Sequence, residues 1–293
     1  MPNSTVVRTA VLPVAGLGTR FLPVTKAVPK ELLPLADRPC IEYVVVEAVA
    51  AGIENIVLVS ARGKDAMVDY FDRSPSLERL LEESGKTDLL REVRRVTRLA
   101  KVIAVRQSEA LGLGHAVNTA RPAVGDRPFA VLLGDDVIDN DSDPAIGQLL
   151  RVHADQPDGA VVALMEVPLH QVDRYGVCAG PMVGDRMRVD AMIEKPKPSE
   201  APSRYAIVGR YILPPDIFDI LDRTPRGRGG EVQLTDALAV LAAQGRVTGA
   251  PFVGRRFDTG HVVGLLHASI HFARKRPELR DAVDAMLDDL RAG

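Results

Sequence analysis

Cysteine is scarce in this 293-residue chain: Cys40 and Cys178 stand far apart and in no metal-ligand spacing, so two buried free thiols are expected. Neither charge sign dominates. Lys and Arg number 37 against 39 Asp and Glu, a net charge of −2 that leaves no electrostatic footprint for nucleic acid. No apolar run approaches the roughly 18 residues a membrane span needs, so no membrane partner is expected. The opening MPNSTVVRTA lacks the basic start and apolar core of a leader, which makes the cytoplasm the expected location. There is no internal repeat, low-complexity segment or domain-splitting linker. Two familiar phosphate-binding patterns are missing as well. GxxxxGK[ST] is absent, and GxGxxG fails at its third glycine, where Phe21 stands, which argues against a dinucleotide-dependent dehydrogenase. What remains is ordinary: 46% hydrophobic and 26% charged residues, and length for one large α/β domain with or without a subdomain.

The informative stretch is residues 10–34, AVLPVAGLGTRFLPVTKAVPKELLP. Ala10 to Ala15 suits a short buried strand. It breaks at Gly16-Leu17-Gly18-Thr19-Arg20, where glycines allow a tight turn whose successive N–H groups can cradle an anion. Arg20, Lys26 and Lys30 follow at once, a cationic set that suits a polyanion such as a nucleoside triphosphate.

Behind this loop, residues 41–51 carry Val44, Val45, Ala48 and Val49 at helical spacing, and Ile56 to Val59 is a second buried strand. Strand, loop, helix, strand is the opening of a doubly wound parallel sheet, with ligands at the carboxyl ends of its strands. Residues 64–96 read as helices, with Leu77, Leu80 and Leu81, then Leu89, Val93 and Val96, as their apolar faces. Further strands are expected at 101–105, 129–133, 159–167, 187–193 and 205–213. A closing helix from Pro277 to Arg291 carries Leu279, Val283, Met286, Leu287 and Leu290 on one side, to pack on the body or on a second subunit.

Several strand ends carry chemistry. The loop RQSEALGLGHAV follows a strand and sets Gln107 and Gly112 before a helix, which suits a second ligand-facing loop or a plain glycine-bearing turn. FAVLL runs into Gly134-Asp135-Asp136, and a carboxylate there is costly to desolvate unless a cation such as Mg²⁺ pairs with it. Tyr175-Gly176-Val177, Glu194-Lys195, GGEVQLTDA and Asp258-Thr259-Gly260 are the remaining blocks.

Taken together, AGLGTRFLPVTKAVPKELLP, RQSEALGLGHA, EKPKPSEAPSRYAIVGRYIL, GGEVQLTDA and the D-x-G resemble the bacterial sugar-phosphate nucleotidyltransferases, and KELLP its UTP–glucose-1-phosphate uridylyltransferase branch. The resemblance runs from about residue 8 to about residue 275. It implies a Rossmann-like, doubly wound, mixed but mainly parallel sheet flanked by helices, with a smaller sugar-binding β subregion. One domain is implied, its nucleotide half at about 8–140, its sugar-phosphate half at about 141–275, and a C-terminal helix at 276–293. UTP and α-D-glucose 1-phosphate are the implied substrates, Mg²⁺ the cofactor, and a homo-oligomer, dimer or tetramer, the assembly.

The roles carried over are these. Ala15, Gly16, Gly18, Thr19, Glu31, Gln107, Gly112 and Asp135 would bind the nucleotide, with Gln107 and the backbone near Gly112 on the uracil. Gly176, Glu194 and Lys195 would bind the sugar phosphate. Arg20, Lys30 and Lys195 would act in catalysis, and Asp135 and Asp258 would hold the metal, with Asp136 the less favoured neighbour. Val262 and Leu265 depart from the lysine and the aromatic usual in the family, which bears on specificity. A thymidylyl enzyme, another sugar 1-phosphate, or a catalytically weak regulatory paralogue are the alternatives.

Overall fold

The computed structural model describes residues 6–140 and 142–292, without the Arg228 side chain. The opening MPNST, the half-boundary at 141 and Gly293 lie outside the described residues.

The strands are β1 (Thr9–Pro13), β2 (Asn55–Ser60), β3 (Lys101–Arg106), β4 (Phe129–Leu132), β5 (Asp136–Asp139), β6 (Ala160–Glu166), β7 (Gly176–Ala179), β8 (Met182–Val183), β9 (Arg186–Arg188), β10 (Ala191–Glu194), β11 (Tyr205–Leu213), β12 (Val247–Pro251) and β13 (Arg255–Asp258). The helices that matter below are α1 (Cys40–Ala50), α2 (Pro75–Glu83), α3 (Thr87–Val96), α4 (Leu113–Thr119), α5 (Leu234–Ala243), α6 (Val262–Lys275) and α7 (Pro277–Ala292).

Short runs such as TAVLP and FAVL form buried strands because helices cover both faces of the sheet. Side chains alternate across it. Leu12, Ile56 and Leu58 meet Ile41, Val44 and Val45 of α1 on one side, and Val11, Val57 and Val59 meet Ala116, Leu234 and Leu238 of α4 and α5 on the other. Truncating one such leucine, Leu12 or Leu238, to alanine would cost about 2–5 kcal/mol.

The sheet runs β8-β9-β12-β6-β11-β4-β1-β2-β3, with β7 and β10 added beside β11. β1 pairs in parallel with β2 and β4, β2 with β3, and β6 with β12. β11 is antiparallel to both β4 and β6, so it is the one reversed strand in a central run of seven. The mixed, mostly parallel sheet flanked by helices is therefore as the sequence implied.

Two local expectations fail. Residues 187–193 form two strands rather than one. At the break, Val189 N–H donates to Val247 O and Asp190 N–H to Ala179 O, which hands the chain from β12 across to β7. The faces of α2 and α3 also differ: Leu81 and Leu90 are buried, while Leu77, Leu80 and Leu89 are exposed. Charge pairs take up that hairpin instead, since buried Glu78 accepts from Arg73 at 2.8 Å and Arg94 at 3.0 Å, and Arg95 reaches Glu42 at 2.5 Å.

Candidate active site

The carboxyl ends of β1 and β4, with the run Ile207 to Tyr211 of the reversed β11, open on a cavity of about 790 Å³, and beside it lies a smaller one of about 260 Å³. The smaller is lined by Ala15, Gly16, Gln107 and Gly112. Arg20, Asp135, Gly176, Glu194, Lys195 and Asp258 all line the larger. The chain thus gathers residues from five separated blocks at one mouth.

After β1 the chain turns through Gly18 at φ +65°, where a Cβ would meet the Thr25 Cγ2 at 3.1 Å and the Lys30 Cβ at 3.3 Å. Thr25 Oγ1 donates to Gly18 O at 2.8 Å and closes the turn. Thr19 and Arg20 follow on a short exposed turn. Lys26 is exposed and lines neither cavity.

Lys30 points inward and its Nζ donates to Asp135 Oδ2 at 2.5 Å. Burial would pull the Lys30 ammonium down, but the charges of Asp135 and Glu31 outweigh it and hold its pKa above the ordinary value. Burial likewise pushes Asp135 up, and Lys30 overrides it to leave the carboxyl below the usual range. Glu31 is only 2% exposed and lines neither cavity. It accepts from Lys64 Nζ at 3.2 Å, behind the cavity wall next to Lys30. Lys64 also donates to Val14 O at 2.6 Å, just before the glycine turn. The sequence reading passed over Lys64, although its position a few residues beyond the end of β2 was a usable signal.

The acidic pair after β4 separates by environment. Asp136 is 6% exposed at the back of the same cavity, where Arg256 Nε lies 2.6 Å from its Oδ1 and burial pushes its carboxyl above the usual range. Arg210, fully buried and held by Glu47 at 2.6 Å, donates to the Asp136 carbonyl at 2.8 Å. Asp135 faces the cavity.

The ribbon of β5 and β13 sets Asp258 opposite Asp136, and Thr259 donates to Asp135 O through both its N–H and its Oγ1 at 2.8 Å. As a result Asp135 Oδ2 and Asp258 Oδ1 flank Gly260, and a Cβ there would meet them at 2.8 and 3.0 Å. Two carboxylates converging on open space fit a hard cation such as Mg²⁺ completed by phosphate and water oxygens. Among the described residues no group of three or more His, Cys, Asp or Glu side chains is placed to hold a metal alone.

On the opposite wall, Glu194 Oε2 accepts from Thr235 Oγ1 at 2.6 Å, and Lys195 Nζ lies 3.4 Å from Glu194 Oε1. Lys195 holds a left-handed backbone, φ +48°, a conformation costly for a residue with a Cβ and common where a site dictates geometry. Its N–H donates to Tyr175 O at 2.9 Å, tying it to the Tyr175-Gly176 loop. Gly176 is crowded: a Cβ would stand 2.9 Å from Thr235 Oγ1 and 3.2 Å from Glu194 Oε2.

Arg256 was missed as well. Its Nη1 donates to Tyr175 Oη at 3.2 Å, with the guanidinium 5.3 Å from that ring centre, so it joins the Tyr175-Gly176 loop to the β5–β13 ribbon. The arginine two residues before D-x-G was its only signal.

In the smaller cavity Gln107 is 6% exposed, with its Nε2 at 3.3 Å from Gly112 O and 2.8 Å from His115 Nδ1. The amide nitrogen is thereby engaged within the protein, and Oε1 is the group left to accept from a ligand. Gly112, at φ +101°, does more than bring backbone near a base. A Cβ there would collide with Glu231 Cβ at 2.7 Å and Val232 O at 2.8 Å.

A model of the nucleotidyl transferase family matches residues 9–275. The chain is 45% identical to the UTP–glucose-1-phosphate uridylyltransferase of Staphylococcus epidermidis over 285 residues, 97% of this chain and 98% of that one. It superposes on a UTP-bound UGPase from Acinetobacter baumannii with a TM-score of 0.89 at 41% identity, covering 97% of this chain and all of that one. A UDP-glucose pyrophosphorylase complexed with UDP-glucose gives 0.84 at 39% identity, over 92% of this chain and 100% of that one.

Proposed function

Because the chain belongs to the nucleotidyl transferase family, we propose that it joins the uridylyl group of UTP to α-D-glucose 1-phosphate, releasing pyrophosphate and giving UDP-glucose. The observation that carries this reading is the convergence of Arg20, Asp135, Asp258, Glu194 and Lys195 on one cavity beside a base-sized pocket, with Lys30 bonded to Asp135 behind that wall. Relatives named for this reaction, and solved neighbours bound to UTP and to UDP-glucose, support it.

In the proposed reaction an oxygen of the sugar phosphate attacks the α-phosphorus of UTP in line, and pyrophosphate leaves. The nucleophile is already an anion, so positioning and charge neutralisation carry the catalysis. Arg20 and Lys30 hold the triphosphate and take up the charge that develops on pyrophosphate. Ala15, Gly16, Gly18 and Thr19 shape the turn that cradles it. Gln107 Oε1 accepts from the imide N3–H of uracil, whereas cytosine presents a lone pair there and is refused. Glu194 accepts from glucose hydroxyls above Gly176, and Lys195 aims the sugar phosphate. Asp135 and Asp258 are the groups that would hold Mg²⁺, and when bound it supplies charge neutralisation where the two phosphate groups meet.

The two halves, 8–140 and 141–275, are read as one domain, supported by the single sheet that crosses both. A homo-oligomer is part of the proposal, supported by Leu266, Met286 and Leu290, which stand 57%, 48% and 71% exposed on α6 and α7. Light scattering should read a multiple of the chain mass. Among the described residues no helix is long and apolar enough to cross a membrane, and we place the reaction in the cytoplasm, where UTP is made.

The test is a panel of four nucleoside triphosphates against several sugar 1-phosphates, scored by pyrophosphate release. UTP with glucose 1-phosphate should be the best pair. A faster reaction with dTTP or with another sugar would replace the specificity proposed here.

A further inference from the structure

Uracil and thymine offer Gln107 the same imide N–H, so that contact leaves UTP and dTTP alike. The 2′-hydroxyl of the ribose is one group that separates them. Resting on the reading of the two cavities above, the route of the ribose is fixed by what the cavities share: only Leu113 and Glu231 line both. A nucleotide with its base at Gln107 and its phosphates at Arg20 and Lys30 has to carry its ribose through that junction. Of the two shared residues, Glu231 alone has a side chain that forms hydrogen bonds.

Glu231 is also held in place. Val232 N–H donates to Leu111 O at 2.8 Å and Gly114 N–H to Val232 O at 2.9 Å, so the strip 231–232 is laced onto the turn that opens α4. The absent side chain of Gly112 makes room for it. Gln233 Nε2 donates to Glu231 Oε2 at 3.2 Å, which uses one of the carboxylate's roughly four lone-pair directions and orients the rest. The ribose is uncharged, and the phosphates are drawn to cations on the far side of the junction, so a carboxylate here meets hydroxyl donors.

We propose that Glu231 is the residue that selects a ribonucleotide, its carboxylate accepting a hydrogen bond from the ribose 2′-hydroxyl. This gives the GGEVQLTDA block a chemical task beyond starting α5, and it supplies a discrimination between UTP and dTTP that the Gln107 contact does not.

The experiment compares UTP with dUTP, which share base and phosphates and differ by one hydroxyl. For the wild type, Glu231→Gln and Glu231→Ala, kcat/KM with glucose 1-phosphate and the Kd of each nucleotide alone are measured. The wild type should favour UTP by about 10- to 100-fold, the range for a hydrogen bond to a charged group. Glu231→Ala should bring the two within about threefold by losing UTP while dUTP holds, and Glu231→Gln should fall between. A UTP preference that survives Glu231→Ala, or an equal weakening of both nucleotides, overturns the assignment while leaving uridylyl transfer standing. A wild type that uses neither nucleotide but accepts another triphosphate overturns the uridylyl reading and this inference with it.

Discussion

The two walls of the large cavity are built differently. On the wall proposed for the nucleotide, charge is layered and paired before any substrate arrives: Lys64 on Glu31 at 3.2 Å, and Lys30 on Asp135 at 2.5 Å. Glu31 and Lys64 are nearly out of solvent. On the wall proposed for the sugar, Lys195 is 45% exposed, its Nζ lies 3.4 Å from the adjacent Glu194, and it is set by a left-handed backbone and one N–H bond to Tyr175. A triphosphate needs a rigid array of charges in a low-dielectric floor, where such an array is effective. A sugar phosphate is smaller and must still come and go, which suits a cation held by backbone geometry at the rim. Arg256 bridges the two walls, between Asp136 and Tyr175.

The sharpest way to break this contrast is on the nucleotide wall. Asp135→Asn and Asp258→Asn should each lower kcat by about 10²-fold or more with the fold intact, because a ligand charge and the transition-state clamp go together. Near-normal turnover at saturating Mg²⁺ would remove the metal assignment from that residue.

Next comes the sugar wall. Lys195→Ala should raise the KM for glucose 1-phosphate and cut kcat/KM by about 10²–10³, roughly 3–4 kcal/mol, with the KM for UTP moving much less. Lys195→Arg should restore only part, since a planar fork does not replace a compact ammonium. If the UTP constant moved instead, Lys195 would belong to the other wall.

A smaller effect is expected in the base pocket. Gln107→Ala should shrink the UTP over CTP ratio of kcat/KM by about 10-fold, more than it lowers the maximal rate. An unchanged ratio would place uracil recognition elsewhere. Smallest is the bridge: Tyr175→Phe removes the hydroxyl that Arg256 holds and should raise the KM for glucose 1-phosphate by about 2- to 10-fold while sparing that for UTP. Equal shifts in both constants would mean that the bridge steadies the whole cavity and not the sugar loop.

Much of this was legible in the sequence, for physical reasons. Strands buried on both faces read as plain apolar runs, so β1, β2, β4 and β11 were visible, and the cavities lie beyond the carboxyl ends of the parallel ones. That rule led to Gln107 beside the smaller cavity and Asp135 beside the larger. The break between β9 and β10 was not legible, because Met187 to Ile193 alternates like one strand and only the partners of Val189 and Asp190 divide it. Leu89 and Leu90 are neighbours of equal hydrophobicity, and which one is buried depends on the hairpin's ion pairs. The burial of Glu31 was not legible either, because it comes from the 3-10 turn that holds Lys30 and Glu31. The left-handed φ of Lys195 and the bridge made by Arg256 are properties of folded geometry with no local pattern to announce them.

The most direct test of the reaction follows oxygen. Glucose 1-phosphate carrying ¹⁸O in its phosphate is mixed with unlabelled UTP, Mg²⁺ and the protein, and the products are read by ³¹P NMR and mass spectrometry. Attack by the sugar phosphate on the α-phosphorus requires that all of the label appear in UDP-glucose, including its bridging oxygen, and that pyrophosphate carry none. Label in pyrophosphate, or no UDP-glucose at all, would contradict the account.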